Sequence, residues 1–109
     1  MTKAIDDVIA ERERQQAAEG WTTEHDDMHT EGELAKAASC YAYEAGRTDH
    51  QRDCDKGVPP MPWPWSRKWW ESTDRRRDLV KAAALAIAEI ERLDRLTPCA
   101  ALQAKEPTP

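Results

Sequence analysis

The sequence predicts an all-α domain, a small bundle of three main helices joined by a long Trp- and Pro-rich connector. Three observations carry this. Apolar residues recur at helical spacing in three separate segments. Four of the seven prolines, Pro59, Pro60, Pro62 and Pro64, fall together and deny that stretch the backbone donors a helix needs. No segment alternates apolar and polar residues as a half-buried strand would.

The first helix is expected over residues 2–19, with Ile5, Val8 and Ile9 on one face and Gly20 where a left-handed cap belongs. Its far end, Glu11 to Glu19, is strongly polar, so the first half is expected to meet the core. Thr30-Glu31-Gly32-Glu33 fits a capping box and predicts the start of a second helix. Leu34, Ala37, Ala38, Tyr41, Ala42 and Ala45 continue it to Gly46. The segment from Arg47 to Pro62 is charged and then proline-rich, and it reads as loop or extended chain leading to Trp63, Trp65, Trp69 and Trp70. A short helical turn is expected near Ser66. The last helix takes Ser72 or Thr73 as its cap, Asp74 in its first turn, and Leu79, Val80, Ala83, Ile87, Ile90 and Leu93 as its buried stripe. Pro98 ends it, so residues 1–96 form one domain and 97–109 a flexible tail.

The chain has four Ile, three Val, six Leu and no Phe, below the roughly 20% of strong core formers at which disorder becomes a concern. Tryptophan must supply part of the core, and self-association is expected to supply more. A net charge of −5 excludes the general electrostatic attraction that duplex nucleic acid requires. Cys40, Cys54 and Cys99 lack the paired spacing of a zinc motif, and the longest apolar run, Ala82 to Ala88, is too short to cross a bilayer. A cytoplasmic protein without a membrane partner is expected.

Three groups of residues carry candidate chemistry. Between Glu24 and Glu33 the chain concentrates imidazoles and carboxylates ahead of a helix. His25, Asp26, Asp27, His29 and Glu33, with Asp78 from the last helix, are the candidate ligands of a divalent metal (Mg, Mn or Zn). The competing reading is that the acids cap backbone amides and the imidazoles tie down the fold. Second, Trp21, His25, Trp63, Trp65, Trp69 and Trp70 offer stacking faces, and Arg75 and Arg76 offer planar cations, a combination suited to a nucleotide-like small molecule. Packing and subunit contact are the alternative use of the indoles. Third, the acids of the last helix, Glu71, Asp74, Asp78, Glu89, Glu91 and Asp94, are spaced to share helix faces, an arrangement that can bind magnesium on a nucleotide's phosphates; the favoured reading is an ordinary solvated surface, since Arg75, Arg92 and Arg95 are spaced to neutralise them.

Glu19-Gly20-Trp21-Thr22, Glu24-His25-Asp26-Asp27, His29, Gly32-Glu33-Leu34-Ala35, Trp63-Pro64-Trp65, Trp69-Trp70 and Arg77-Asp78-Leu79-Val80 through Arg95 resemble an uncharacterised family of short phage and prophage proteins. That resemblance implies a phage accessory protein in the bacterial host's cytoplasm. Gly32-Glu33-Leu34-Ala35 is also similar to the first motif of MazG-type pyrophosphohydrolases, whose helices present paired carboxylates to magnesium; only Glu33 and Asp78 carry over. Glu19-Gly20-Trp21-Thr22 with Asp26-Asp27, His29 and Asp74-Arg75 resembles the ryanodine-receptor repeat domain, a module linked to small-ligand recognition. The favoured expectation is an oligomeric phage protein that binds a nucleotide-derived molecule and sequesters a host defence signal. A metal-dependent nucleotide pyrophosphohydrolase and a protein-binding inhibitor of a host factor are the alternatives. The binding expectation requires the loop before the second helix and the Trp-rich connector to meet in space.

Overall fold

A computed structural model describes residues 1–96, and within them the chain is all-helical with no strand. Helix α1 spans Lys3–Ala18, α2 Thr23–Asp27, α3 Glu33–Ala45, α4 Asp49–Cys54 and α5 Arg75–Leu96, with a single 3₁₀ turn at Arg67–Trp69. The expected three long helices are present as α1, α3 and α5. The tail expected over 97–109 lies outside the described residues.

Helix α5 is the centre of the bundle, with α3, α1 and α2 packed against it. Thr2 caps α1 by accepting the Ile5 amide, and Gly20, at φ 72°, turns the chain out of α1 as its position predicts. Thr22 then caps α2 by accepting the amide of His25, so a short helix occupies what reads in the sequence as a loop. Likewise Thr48 and Gln51 form a reciprocal capping box that starts α4 inside the charged connector.

The capping box expected at Thr30 does not form. Gly32 is the N-cap of α3 in a left-handed conformation, φ 80°, and the Glu33 carboxylate reaches back to the Glu31 amide at 2.6 Å. Without a Cβ, Gly32 enters this region at no steric cost, and the reversal there separates α2 from α3. Asp74, one residue beyond the expected caps, opens α5: its side chain accepts the Arg77 amide at 2.8 Å and its carbonyl the Asp78 amide at 2.9 Å.

Two helices are rotated from their expected faces. In α1 the buried residues are Glu11, Arg12 and Gln15, in the half expected to lack a core, whereas Ile5 and Ile9 are exposed. In α5 Val80 is buried as expected, but the rest of the buried stripe includes Asp78, Lys81, Leu85, Ala88 and Arg92, while Leu79, Ile90 and Leu93 are exposed. The cause is charge pairing. Glu11 accepts Arg14 at 2.8 and 2.9 Å, Gln15 at 3.1 Å, and Arg77. Burial pushes the Glu11 carboxyl up, but Arg14, Arg77 and Gln15 together outweigh it and hold it below the ordinary range. Lys81 lies under the Tyr41 ring and donates to the Glu71 carbonyl.

The apolar core is small: Leu34, Ala37, Cys40, Tyr41, Trp70, Ala82, Leu85 and Ala88. Alanines let α3 and α5 approach closely, and Tyr41 and Trp70 fill the end of the space, stacked with centroids 4.5 Å apart. The Tyr41 hydroxyl accepts the Glu71 amide at 3.2 Å. Burial pushes its ionisation up to about 12, against the lowering effect of that hydrogen bond and with help from the Glu71, Asp78 and Glu11 charges.

Candidate functional site

The position of α2 is set by one buried ion pair. Asp26 is fully buried and accepts Arg12 Nη2 at 2.9 Å, while Arg12 Nε reaches Glu91 of α5 at 3.3 Å. One guanidinium therefore ties α1, α2 and α5 together. With Asp26 turned inward, His25 and His29, one helical turn apart, lie side by side, their rings 4.8 Å apart and nearly perpendicular.

The connector arrives on that side. Prolines keep it out of helix, and a bond of 3.1 Å from the Trp63 indole N–H to the Ser66 carbonyl closes a tight loop around Trp65. Trp65 then sits 5.3 Å from His29 and 6.1 Å from Trp21. The two segments required to meet do so. Ring contacts run on through Trp63, which is perpendicular to Trp65 at 5.3 Å and packs against Trp70 and Tyr41 at 4.9 and 5.6 Å. The cavity wall is thus continuous with the core, which stiffens it.

A cavity of about 410 Å³ opens between α2 and the connector. Trp21, Trp63, Trp65 and Trp69 wall it, with His25 and His29 on the α2 side. Glu19 and Ser66 complete the lining. Trp21 and His25 are parallel to within 1°, their centroids 6.0 Å apart. Sequence reasoning missed Glu19 and Ser66. The signal for Glu19 was the Gly that follows it, since the left-handed turn at Gly20 brings the end of α1 beside Trp21.

The remaining candidates lie elsewhere. Trp70 is in the core, 8% exposed, and is not among the lining residues. Arg75 donates to the Ala45 and Arg47 carbonyls at 2.5 and 2.7 Å and to Asp49 at 2.5 Å, fastening α5 to the end of α3 and the start of α4. Arg76 pairs with Asp7 of α1 at 2.9 Å. The expected partnership of indoles with these arginines is therefore corrected: among the described residues no Lys or Arg lines the cavity.

The six candidate metal ligands are not gathered either. Asp26 is committed to Arg12, and Asp27 to Arg95 at 2.8 Å. Asp78 is fully buried at the start of α5, where it accepts Ser72 Oγ at 2.7 Å, the Thr73 amide at 2.9 Å and Arg52 at 3.1 Å. Only His29 and Glu33 approach each other within the group, at 3.4 Å, apart from the His25 and Asp26 neighbours at 3.5 Å. Glu33 is held below the usual carboxylate range by its own amide, then by the Glu31 amide and His29, against a smaller upward push from burial. Among the described residues, no group of three or more His, Cys, Asp or Glu side chains is placed to hold a metal ion. These acids act as caps and as counterions to buried or helix-bridging arginines.

A second groove, of about 530 Å³, runs between α3 and the connector past Tyr43, Val58, Pro59 and Met61. No described helix is long and apolar enough to cross a membrane. Comparison with protein-family models, with curated proteins and with solved structures finds no match.

Proposed function

We propose that this protein binds a small molecule in the Trp-lined cavity and grips it by a flat heteroaromatic ring, such as the base of a nucleotide-derived ligand. The observation that carries the reading is the convergence of Trp21, Trp63, Trp65 and Trp69 with His25 and His29 around about 410 Å³. That volume lies within the range of small-molecule sites. Indoles supply large stacking area at low conformational cost, and the imidazoles supply the few polar groups that orient a ligand. With Arg75 and Arg76 engaged in helix ties, affinity rests on the ring and not on a phosphate grip. Sequestration of a host signal by a phage protein is the use that the sequence resemblance suggests.

Calorimetry against nucleosides, cyclic nucleotides and ADP-ribose derivatives tests the reading. Saturable heat that disappears in Trp65→Ala supports it; absence of heat across the panel and with flat heteroaromatic rings of either charge refutes it.

We also propose that two copies of the chain pair through α1 and α5. Leu79, Ala83, Ala86 and Ile90 recur at alternating spacings of four and three on α5, the period of a helix–helix seam. Beside them Ala4, Ile5, Val8, Ile9 and Ile87 line a wholly apolar groove of about 240 Å³.

A further inference from the structure

We infer that the ligand of the Trp-lined cavity is an organic cation, a heteroaromatic ring made positive by N-alkylation. The inference rests on the proposed binding role of that cavity and names the chemistry it selects. Four features point the same way.

The first is wall geometry. Trp63 and Trp65 stand at 87° and Trp21 and Trp65 at 50°, so neither pair of indoles forms a parallel sandwich; the parallel pair in the wall is Trp21 with His25, 6.0 Å apart. A neutral base would stack on one wall and meet a perpendicular one edge-to-face, with no charge attraction to either. A cation is attracted to the negative face of each indole it approaches, whatever their mutual angle, so its gain sums over the walls.

The second is charge. The lining contains one carboxylate, Glu19, and among the described residues no Lys or Arg. Glu19 Oε1 takes Arg14 Nη1 at 3.0 Å, which leaves Oε2 for a ligand. Arg14 is shared with Glu11, which it contacts at 2.8 and 2.9 Å and which also accepts Arg77, so two carboxylates meet two guanidiniums and Glu19 is the one of these four groups that lines the cavity.

Third, the Glu33 carboxylate lies behind His29 at 3.4 Å and adds negative potential to the α2 side of the cavity, whereas Asp26, 3.5 Å from His25, is already balanced by Arg12 at 2.9 Å. The chain as a whole carries −5. An anionic phosphate finds no Lys or Arg among the lining residues, and the nearby Arg14 is already paired, whereas a cation is favoured by the lining carboxylate and by the acidic balance of the chain.

Fourth, the protein already uses one of these indoles in this way. Lys68 Nζ lies 5.5 Å from the Trp69 ring centroid, within the distance at which an ammonium is held by a ring face.

The test compares probes that differ in charge at nearly constant shape: N-methylnicotinamidium, a permanent cation, against nicotinamide, with adenosine monophosphate as the anion. Binding to the full chain is read by calorimetry. The cation is expected to bind about tenfold more tightly than nicotinamide, with adenosine monophosphate weakest. Glu19→Gln, which can still accept Arg14, is expected to weaken the cation several-fold and leave nicotinamide unchanged. Trp69 is half exposed, so Trp69→Leu should fold; it is expected to lower the cation's preference, and Trp69→Phe to retain most of it. Equal affinity for cation and neutral ring, or tighter binding of the anion, overturns the inference while leaving a ligand cavity in place. Failure of all three probes and of the nucleoside panel overturns both.

Discussion

Asp26 and Asp27 are adjacent, identical in chemistry and both attractive as metal ligands, yet the fold gives them very different energetic weight. Asp26→Asn removes the principal counterion of Arg12, whose side chain is only 9% exposed. Glu91 remains at 3.3 Å but is half exposed and contacts only Nε, and Nη1 already lacks a partner. Breaking a buried pair typically costs about 3–5 kcal/mol, and the residual Glu91 contact places this loss near the lower end, about 3 kcal/mol. A domain holds only about 5–15 kcal/mol in total, so Tm should fall by more than about 10 °C. Asp27→Asn breaks a pair whose side chains are 33% and 47% exposed, worth less than about 1 kcal/mol. Urea unfolding followed by the helical circular dichroism signal, with and without EDTA, measures both. Equal losses for the two variants, or an Asp26→Asn loss that appears only when metal is present, would refute the reasoning.

Tyr41 ties the alkaline limit of stability to the core. The folded protein keeps its phenol proton up to about 12, whereas the unfolded chain releases it near 10. Its contribution is therefore complete below the unfolded value and is lost as pH rises from there to about 12; Tyr41→Phe should flatten that part of the pH–stability curve, and an unchanged slope would count against the burial argument. Gly32→Ala must place a side chain at φ 80°, at a cost of about 1–2 kcal/mol; chemical denaturation showing no loss would mean that the turn between α2 and α3 is formed differently. For the α1 and α5 face, sedimentation equilibrium should show concentration-dependent self-association that Ile9→Glu abolishes, and a wild-type chain that stays monomeric contradicts the pairing.

The helical class was legible because Leu34, Ala37, Tyr41 and Ala45 repeat at helix spacing without strand alternation, and because prolines mark the connector. The orientation of α5 was not. Periodicity ranks Leu79 and Ile90 as core, but Asp78 and Arg92 occupy the buried stripe because charged partners on another element or the same helix neutralise them, and Lys81 because the Glu71 carbonyl and the Tyr41 ring receive its ammonium. No local signal in the sequence says that Arg52, 26 residues away, will meet Asp78. For the same reason the imidazoles and acids before α3 looked like one set. Folding sorts them: Asp26 and Asp27 go to arginines of α1 and α5, and His25 and His29 go to the cavity. The short helices α2 and α4 were hidden by length, since five and six residues are too few for a period to declare itself, although Thr22 and Thr48 stood ready as caps. The meeting of α2 with the connector could be posed from residue chemistry, but it depends on the Arg12 anchor, which no spacing rule identifies.

The five indole N–H resonances provide the most direct measurement of where a ligand sits. Trp21, Trp63, Trp65 and Trp69 line the cavity, and Trp70 packs in the core as an internal control. Titration of the labelled protein with N-methylnicotinamidium, followed in nitrogen–proton correlation spectra, should shift the four cavity signals along saturable curves with one dissociation constant and move Trp70 least. Saturable binding that leaves the four unmoved, or shifts confined to residues of the α1 and α5 face, would contradict a ligand site at the cavity.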